Sequence, residues 1–179
     1  MRLFRVGLLA LMAMCGAVAC HAQAAVYGEF TGAKLGGVNP PPWLYGPTVG
    51  LYYDYGHGPF AVGFDARGSF LHRGATSLSG TPSTLDLGLV GGRLALTPHI
   101  LPIKPYVEAL GGIGHLQVGG GIAKFTSTVS TYEFLGGVDF TFFPRLDWRV
   151  VEFGYEGLSV SGQTFSPKIL STGLVFRLP

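Results

Sequence analysis

The stretch Tyr132-Glu133-Phe134-Leu135-Gly136-Gly137-Val138-Asp139-Phe140-Thr141-Phe142-Phe143 constrains this chain more than any other. Phe134, Gly136, Val138, Phe140 and Phe142 share one parity, while Glu133, Leu135, Gly137, Asp139 and Thr141 share the other. A strand turns successive side chains to opposite faces. One face is therefore apolar and aromatic, and the other carries two carboxylates. A strand of about eleven residues crosses a bilayer when tilted.

Comparable segments recur, and eight strands are predicted. In 26–35, Val26, Gly28 and Phe30 oppose Glu29 and Thr31; in 48–55, Val49, Leu51, Tyr53 and Tyr55 oppose Gly50, Tyr52 and Asp54. The cleanest is 60–71, where Phe60, Val62, Phe64, Ala66 and Phe70 alternate with Gly63, Asp65, Arg67 and Ser69. The fourth, 84–97, sets Leu85, Leu87 and Leu89 against Asp86 and Gly88. Strict alternation would then place Arg93 on the apolar face, so a slip is expected at Gly91-Gly92, where a bulge is cheapest. Segments 106–116, 132–143, 148–158 and 169–178 complete the set, with Arg149 out of phase near the start of its strand. No useful helical periodicity is present.

Residues 1–24 read as a cleaved secretory signal, leaving 25–179 as the barrel domain. Arg2 and Arg5 form a positive start, 6–19 is apolar, and Ala22-Gln23-Ala24 is an A-x-A site. Cys15 and Cys20, the only cysteines, lie in that segment, so the mature chain is expected to hold no thiol or disulfide. Lipidation at Cys20 is the competing reading; Ala17 stands where a lipoprotein site prefers Leu.

Of 12 basic residues two leave with the signal, so ten remain against ten acidic ones. That balance excludes the basic stripe nucleic-acid binding needs. The 179-residue chain less its first 24 suits one domain of eight strands and is too short for a sixteen-stranded porin. Alternation alone also fits a soluble barrel with its apolar face inward. Charge density decides: 12% of residues are charged, whereas a soluble surface carries about 25–35%. The reading is all-β, a transmembrane antiparallel up-and-down barrel.

Connections alternate in length. Short ones at 56–58, 98–105 and 144–147 read as periplasmic turns, and longer ones at 36–47, 72–83, 117–127 and 159–167 as extracellular loops. Val118-Gly119-Gly120-Gly121-Ile122 reads as a flexible outer loop, without the context of a phosphate loop. Tyr53, Tyr55, Phe60, Tyr106, Phe142, Phe143, Trp148 and Phe176 cluster by the short turns as an aromatic girdle. Trp43, Tyr45, Phe70, Tyr132 and Tyr155 are candidates for the opposite rim.

From 26 to its end the chain resembles the small eight-stranded outer-membrane β-barrels of the OmpA-like and OmpX-like group. The resemblance rests on Gly136-Gly137-Val138-Asp139-Phe140, on the Pro144–Asp147 turn running into Trp148-Arg149, and on Ser171-Thr172-Gly173-Leu174-Val175-Phe176. It implies an outer-membrane location in a Gram-negative-type envelope. Its partners would be outer-membrane lipid, the barrel-assembly machinery and an extracellular ligand met through loops 36–47, 72–83, 117–127 and 159–167. Members usually end on an aromatic residue that the machinery reads, whereas this chain ends Phe176-Arg177-Leu178-Pro179.

The candidate site is the inward polar set: Glu29, Asp54, Asp65, Arg67, Asp86, Glu108, Asp139, Glu152, Glu156 and Arg177, joined by Arg93 if the slip is real. An eight-stranded barrel leaves just enough room for side chains, and buried charges persist when paired. The set is therefore read as a structural plug, with no catalytic residue, cofactor or metal, and the protein as non-enzymatic. Arg67 is expected to reach Asp86, Glu108 or Asp54. The alternatives are a narrow channel and a lipid-modifying enzyme at the outer rim. Segments 148–158 and 169–178 hold no His, which argues against the His-Ser arrangement of lipid A deacylases. His57, His72, His99 and His115 are read as solvated or girdle residues.

Overall fold

Alternation becomes nine antiparallel strands in the computed structural model, which describes residues 22–34, 43–57, 59–73, 83–98, 101–119, 125–160 and 163–179. They are β1 (Ala22–Lys34), β2 (Trp43–His57), β3 (Phe60–Arg73), β4 (Ser83–Leu96), β5 (Ile103–Val118), β6 (Phe125–Phe143), β7 (Leu146–Val160), β8 (Gln163–Phe165) and β9 (Lys168–Arg177). Sequential neighbours pair from β1 to β7, β9 pairs with both β7 and β1, and the sheet closes on itself. The last two strands are one stave interrupted at Ser166-Pro167, where proline has no N–H for the ladder. The result is a closed eight-stave barrel. Closure leaves no sheet edge, the condition for a β structure in lipid.

The short turns follow from local chemistry. Phe143 and Leu146 pair directly, leaving Pro144-Arg145 as a two-residue turn; Asp147, expected in that turn, lies inside β7 and is buried. Gly119 leaves β5 with φ 97°, in the left-handed region glycine adopts without strain. Ala22, Gln23 and Ala24 of the expected cleavage site pair with Tyr55, Asp54 and Tyr53. The rest of the expected signal and both cysteines lie outside the described residues, as do most of the long loops and His99.

Outward positions form an apolar belt. Phe64 is 75% exposed, and Leu51, Val62, Val90, Val107, Phe134, Phe153 and Leu174 share its face. In water this would be a severe liability; in a bilayer it is the required surface. Most expected girdle aromatics are exposed, but Tyr106 is buried and points into the barrel.

In the half of β3 to β6 nearer the long loops the pattern reverses. Leu71, Leu85, Leu87 and Val129 are buried in the interior, while His72, His115, Thr126, Thr128 and Ser130 are exposed on the outside. The barrel wall there rises above the apolar belt and is built like a soluble barrel, apolar inside and polar outside. This corrects two expectations. The β4 leucines face the interior, so Asp86 lies on the outer face, opposite Phe70 and His115 in register. Arg93 then points inward by plain alternation, and the β3–β4 register runs without a shift through Gly91-Gly92.

The irregularity lies in β7 instead. Val138 pairs with Val151 and Asp139 with Arg149, leaving Val150 as the extra residue of a bulge. That extra residue turns Arg149 inward although Val151, Phe153 and Tyr155 face lipid. The Thr172 hydroxyl donates to the carbonyls of Arg149 (2.9 Å) and Val150 (3.1 Å), satisfying groups the bulge displaces.

Candidate functional site in the barrel interior

Nine of the ten carboxylates in the chain are buried in the interior, all but Asp86. Three buried arginines meet them. Arg67, from β3, contacts Glu108 (2.6 Å), Glu152 (2.9 Å) and Asp65 (3.4 Å). Its partners therefore include Glu108, as expected, but neither Asp86 nor Asp54. Arg93, from β4, pairs with Glu108, with Asp54 at 3.3 Å and with Asp139 at 3.3 Å. Arg149, whose side chain is fully buried, pairs with Glu29, Asp139 (3.0 Å) and Glu152 (3.3 Å).

Inward tyrosines order these charges. The guanidinium of Arg93 lies 4.2 Å from the Tyr52 ring centre and 3.9 Å from that of Tyr106. Arg149 lies 4.6 Å from Tyr106 and 4.4 Å from Tyr27. The sequence Tyr52, Arg93, Tyr106, Arg149, Tyr27 is thus a stacked column across the lumen, each arginine between two rings. Stacking suits a planar guanidinium, which is weakly hydrated. The tyrosines also act as donors: Tyr27 to Asp65 (2.8 Å) and Tyr106 to Glu152 (2.6 Å). Two inward glycines make the space. A Cβ at Gly137 would sit 2.4 Å from the Tyr106 hydroxyl oxygen, and one at Gly50 2.4 Å from the Tyr27 ring.

The column is closed on both sides. A hydroxyl cluster of Thr31, Thr48, Ser69 and Ser171 links β1, β2, β3 and β9 at 2.8–3.0 Å. Beyond it, Leu44, Leu71, Leu85, Val129, Leu158 and Ile169 form an apolar layer. At the end of the short turns Asp147 is held by Lys104 and Arg177, each at 3.1 Å.

Of the sequence-derived set, Glu29, Asp54, Asp65, Arg67, Glu108, Asp139 and Glu152 come together in the central network, and Arg177 sits at its rim. Glu156 is inside but separate, accepting from Thr131 at 2.8 Å and facing Glu133 across β6–β7. Sequence reasoning missed Arg149 and the three tyrosines. The available signal was parity: Tyr27 and Tyr52 share the face of Glu29 and Asp54. Acids outnumber bases, and Glu29, Asp54, Asp65 and Glu156 each keep one oxygen without a protein partner among the described residues. No group of His, Cys, Asp and Glu among those residues is arranged to hold a metal ion. His72 and His115 are exposed on the outer wall, and His115 Nδ1 lies 3.5 Å from Thr128 Oγ1.

No family model and no curated protein matches the chain. Solved structures do. Neisserial surface protein A is similar at 15% identity and TM-score 0.63, covering 89% of this chain and 98% of that one. The attachment invasion locus protein Ail of Yersinia pestis is similar at 12% identity and TM-score 0.57, covering 88% and 97%. A major outer membrane protein from Thermus thermophilus is similar at 12% identity and TM-score 0.52, covering 89% and 100%. At such identities the likeness is one of fold. Together with the closed sheet and its apolar belt, it establishes the chain as a small eight-stranded β-barrel of the outer-membrane class.

Proposed function

We propose that the protein is a non-enzymatic outer-membrane barrel with a side-chain-filled lumen, serving as a structural or surface-interaction protein through its extracellular loops. The observation that carries this reading is the interior itself. Among the described residues, arginines stacked between tyrosines and paired with carboxylates fill the lumen beneath an apolar leucine layer. Such a plug holds the wall rigid and presents the loops on a fixed rim, where binding residues concentrate. A barrel of this fold, Ail, has been solved with the heparin analogue sucrose octasulfate, which supports an extracellular ligand for this chain. Export with removal of residues 1–24 and insertion by the barrel-assembly machinery belong to the same proposal. Planar-bilayer recording tests the closed lumen. Wild-type protein should add no stable conductance, and large steady steps would overturn the reading.

A second reading, lipid modification at the outer rim, rests on one contact. Thr128 and His115 are neighbours on the outer wall, with Asp86 the next residue in the same row. Mass spectrometry of lipid A from cells with and without the protein tests it, and unchanged acylation removes it.

A further inference from the structure

One row at the extracellular end of the barrel breaks the charge pattern of the outer wall. Trp43 pairs with Lys34 across β1–β2, Lys34 with Lys168 across β1–β9, and Lys168 with Tyr155 across β7–β9. By alternation all four point outward: Phe30 and Leu170, on the parity of Lys34 and Lys168, are exposed, as are Trp43 and Tyr155. Directly opposed cross-strand residues have Cβ atoms about 5 Å apart, and like charges so placed repel. Among the described residues no carboxylate pairs with either lysine; Lys34 Nζ lies 5.9 Å from the Trp43 ring centre.

An apolar groove starts just below this row. It has a volume of about 250 Å³ and crosses the β1–β9 seam between Phe30, Trp43 and Tyr45 on one side and Val150, Val151 and Leu170 on the other. Its aromatic wall is ordered: Phe30 stacks on Tyr45 with centroids 6.2 Å apart, and Tyr45 on Trp43 at 5.9 Å. Gly32 sits in the floor, where a Cβ would come within 3.2 Å of the Tyr45 ring. Gly32 and Leu170, its register partner, lie two residues below the lysines, a step of roughly 7 Å along the strands.

We infer that this face binds one phosphorylated acyl lipid of the outer leaflet, its phosphate bridging Lys34 and Lys168 and an acyl chain lying in the groove beneath. The phosphate converts the lysine repulsion into two attractions, and the groove supplies the chain contact that a free anion lacks. The inference uses the outer-membrane placement but is independent of whether the lumen is closed.

The test uses the full-length mature barrel in phosphatidylcholine nanodiscs doped with bis-phosphorylated lipid A, and native mass spectrometry to count retained lipid. Each lysine near a charged lipid surface contributes about 1 kcal/mol. The K34Q variant should therefore retain lipid A about fivefold less and K34Q/K168Q about twenty-fivefold less. Dephosphorylated lipid A should be lost like the double variant, and 10 mM inorganic phosphate, on the order of bulk ion levels, should not displace the lipid. Both side chains lie outside the interior network, so urea midpoints of the variants should match wild type. Equal retention by K34Q/K168Q, or equal retention of dephosphorylated lipid A, overturns the inference; so does displacement by inorganic phosphate.

Discussion

Removal of Arg149 is the sharpest challenge to the interior network. Its guanidinium contacts Glu29, Asp139 and Glu152 and is stacked between Tyr27 and Tyr106, with no solvent exposure. Arg149→Ala leaves these carboxylates with fewer cations: Glu29 loses its only ion-pair partner among the described residues, while Asp139 keeps Arg93 and Glu152 keeps Arg67. Breaking a buried pair by removing one partner costs about 3–5 kcal/mol. Loss of two ring contacts adds on the order of 1 kcal/mol, so about 5 kcal/mol is expected. With a urea slope of about 2 kcal/mol per molar, the unfolding midpoint falls by about 2.5 M. The assay is urea unfolding of barrels refolded in lipid vesicles, followed by tryptophan fluorescence. Arg145→Ala, in the exposed two-residue turn, serves as the control and should move the midpoint by less than about 0.3 M. If Arg149→Ala moves it no further than Arg145→Ala, Arg149 is not in a paired dry interior, and a wet open lumen becomes the better account.

Deletion of Val150 should be tolerated, because without the bulge residue Arg149, Val151 and Glu152 fall into plain alternation with both charges still inward; deletion of Val138 from β6, whose pairing with β5 runs without a shift, shifts the parity on one side of the cut and should abolish refolding, as read by heat-modifiable gel mobility. Gly137→Val should destabilise by about 1–3 kcal/mol, since its Cβ meets the Tyr106 hydroxyl, while Gly28→Val, with nothing within 4 Å, should be near neutral in the same urea assay. Intact mass of the protein from outer membranes should place the mature N-terminus at Ala25; a species retaining Cys20 with added lipid mass would refute signal cleavage there.

Period-two alternation in segments of about ten residues, low charge and turn chemistry were enough to specify a membrane barrel and the inward set on β1, β2, β3, β5 and β6. Those strands carry their apolar parity through the belt without interruption, so one-dimensional pattern and three-dimensional face coincide. Strand β4 defeated the same reasoning. Leu85, Leu87 and Leu89 look like a lipid-facing parity, but all three are buried in the interior, Leu85 and Leu87 where the outer face carries Asp86 and His115 in place of apolar side chains. The pattern of a strand states which residues share a face; whether that face meets lipid, water or the lumen depends on its height along the barrel axis, which neighbouring strands and their register set. Arg149 failed for a related reason, because a bulge is a property of a strand pair: one unpaired residue against Asp139 and Thr172 rotates the arginine inward. Sequence alone determined that many charges share one face of an apolar-walled sheet. Only closure of the sheet decided which of them meet, since ion pairing needs atoms within about 4 Å, and Arg149 of β7 and Glu29 of β1, far apart in the chain, meet because β9 pairs with both strands.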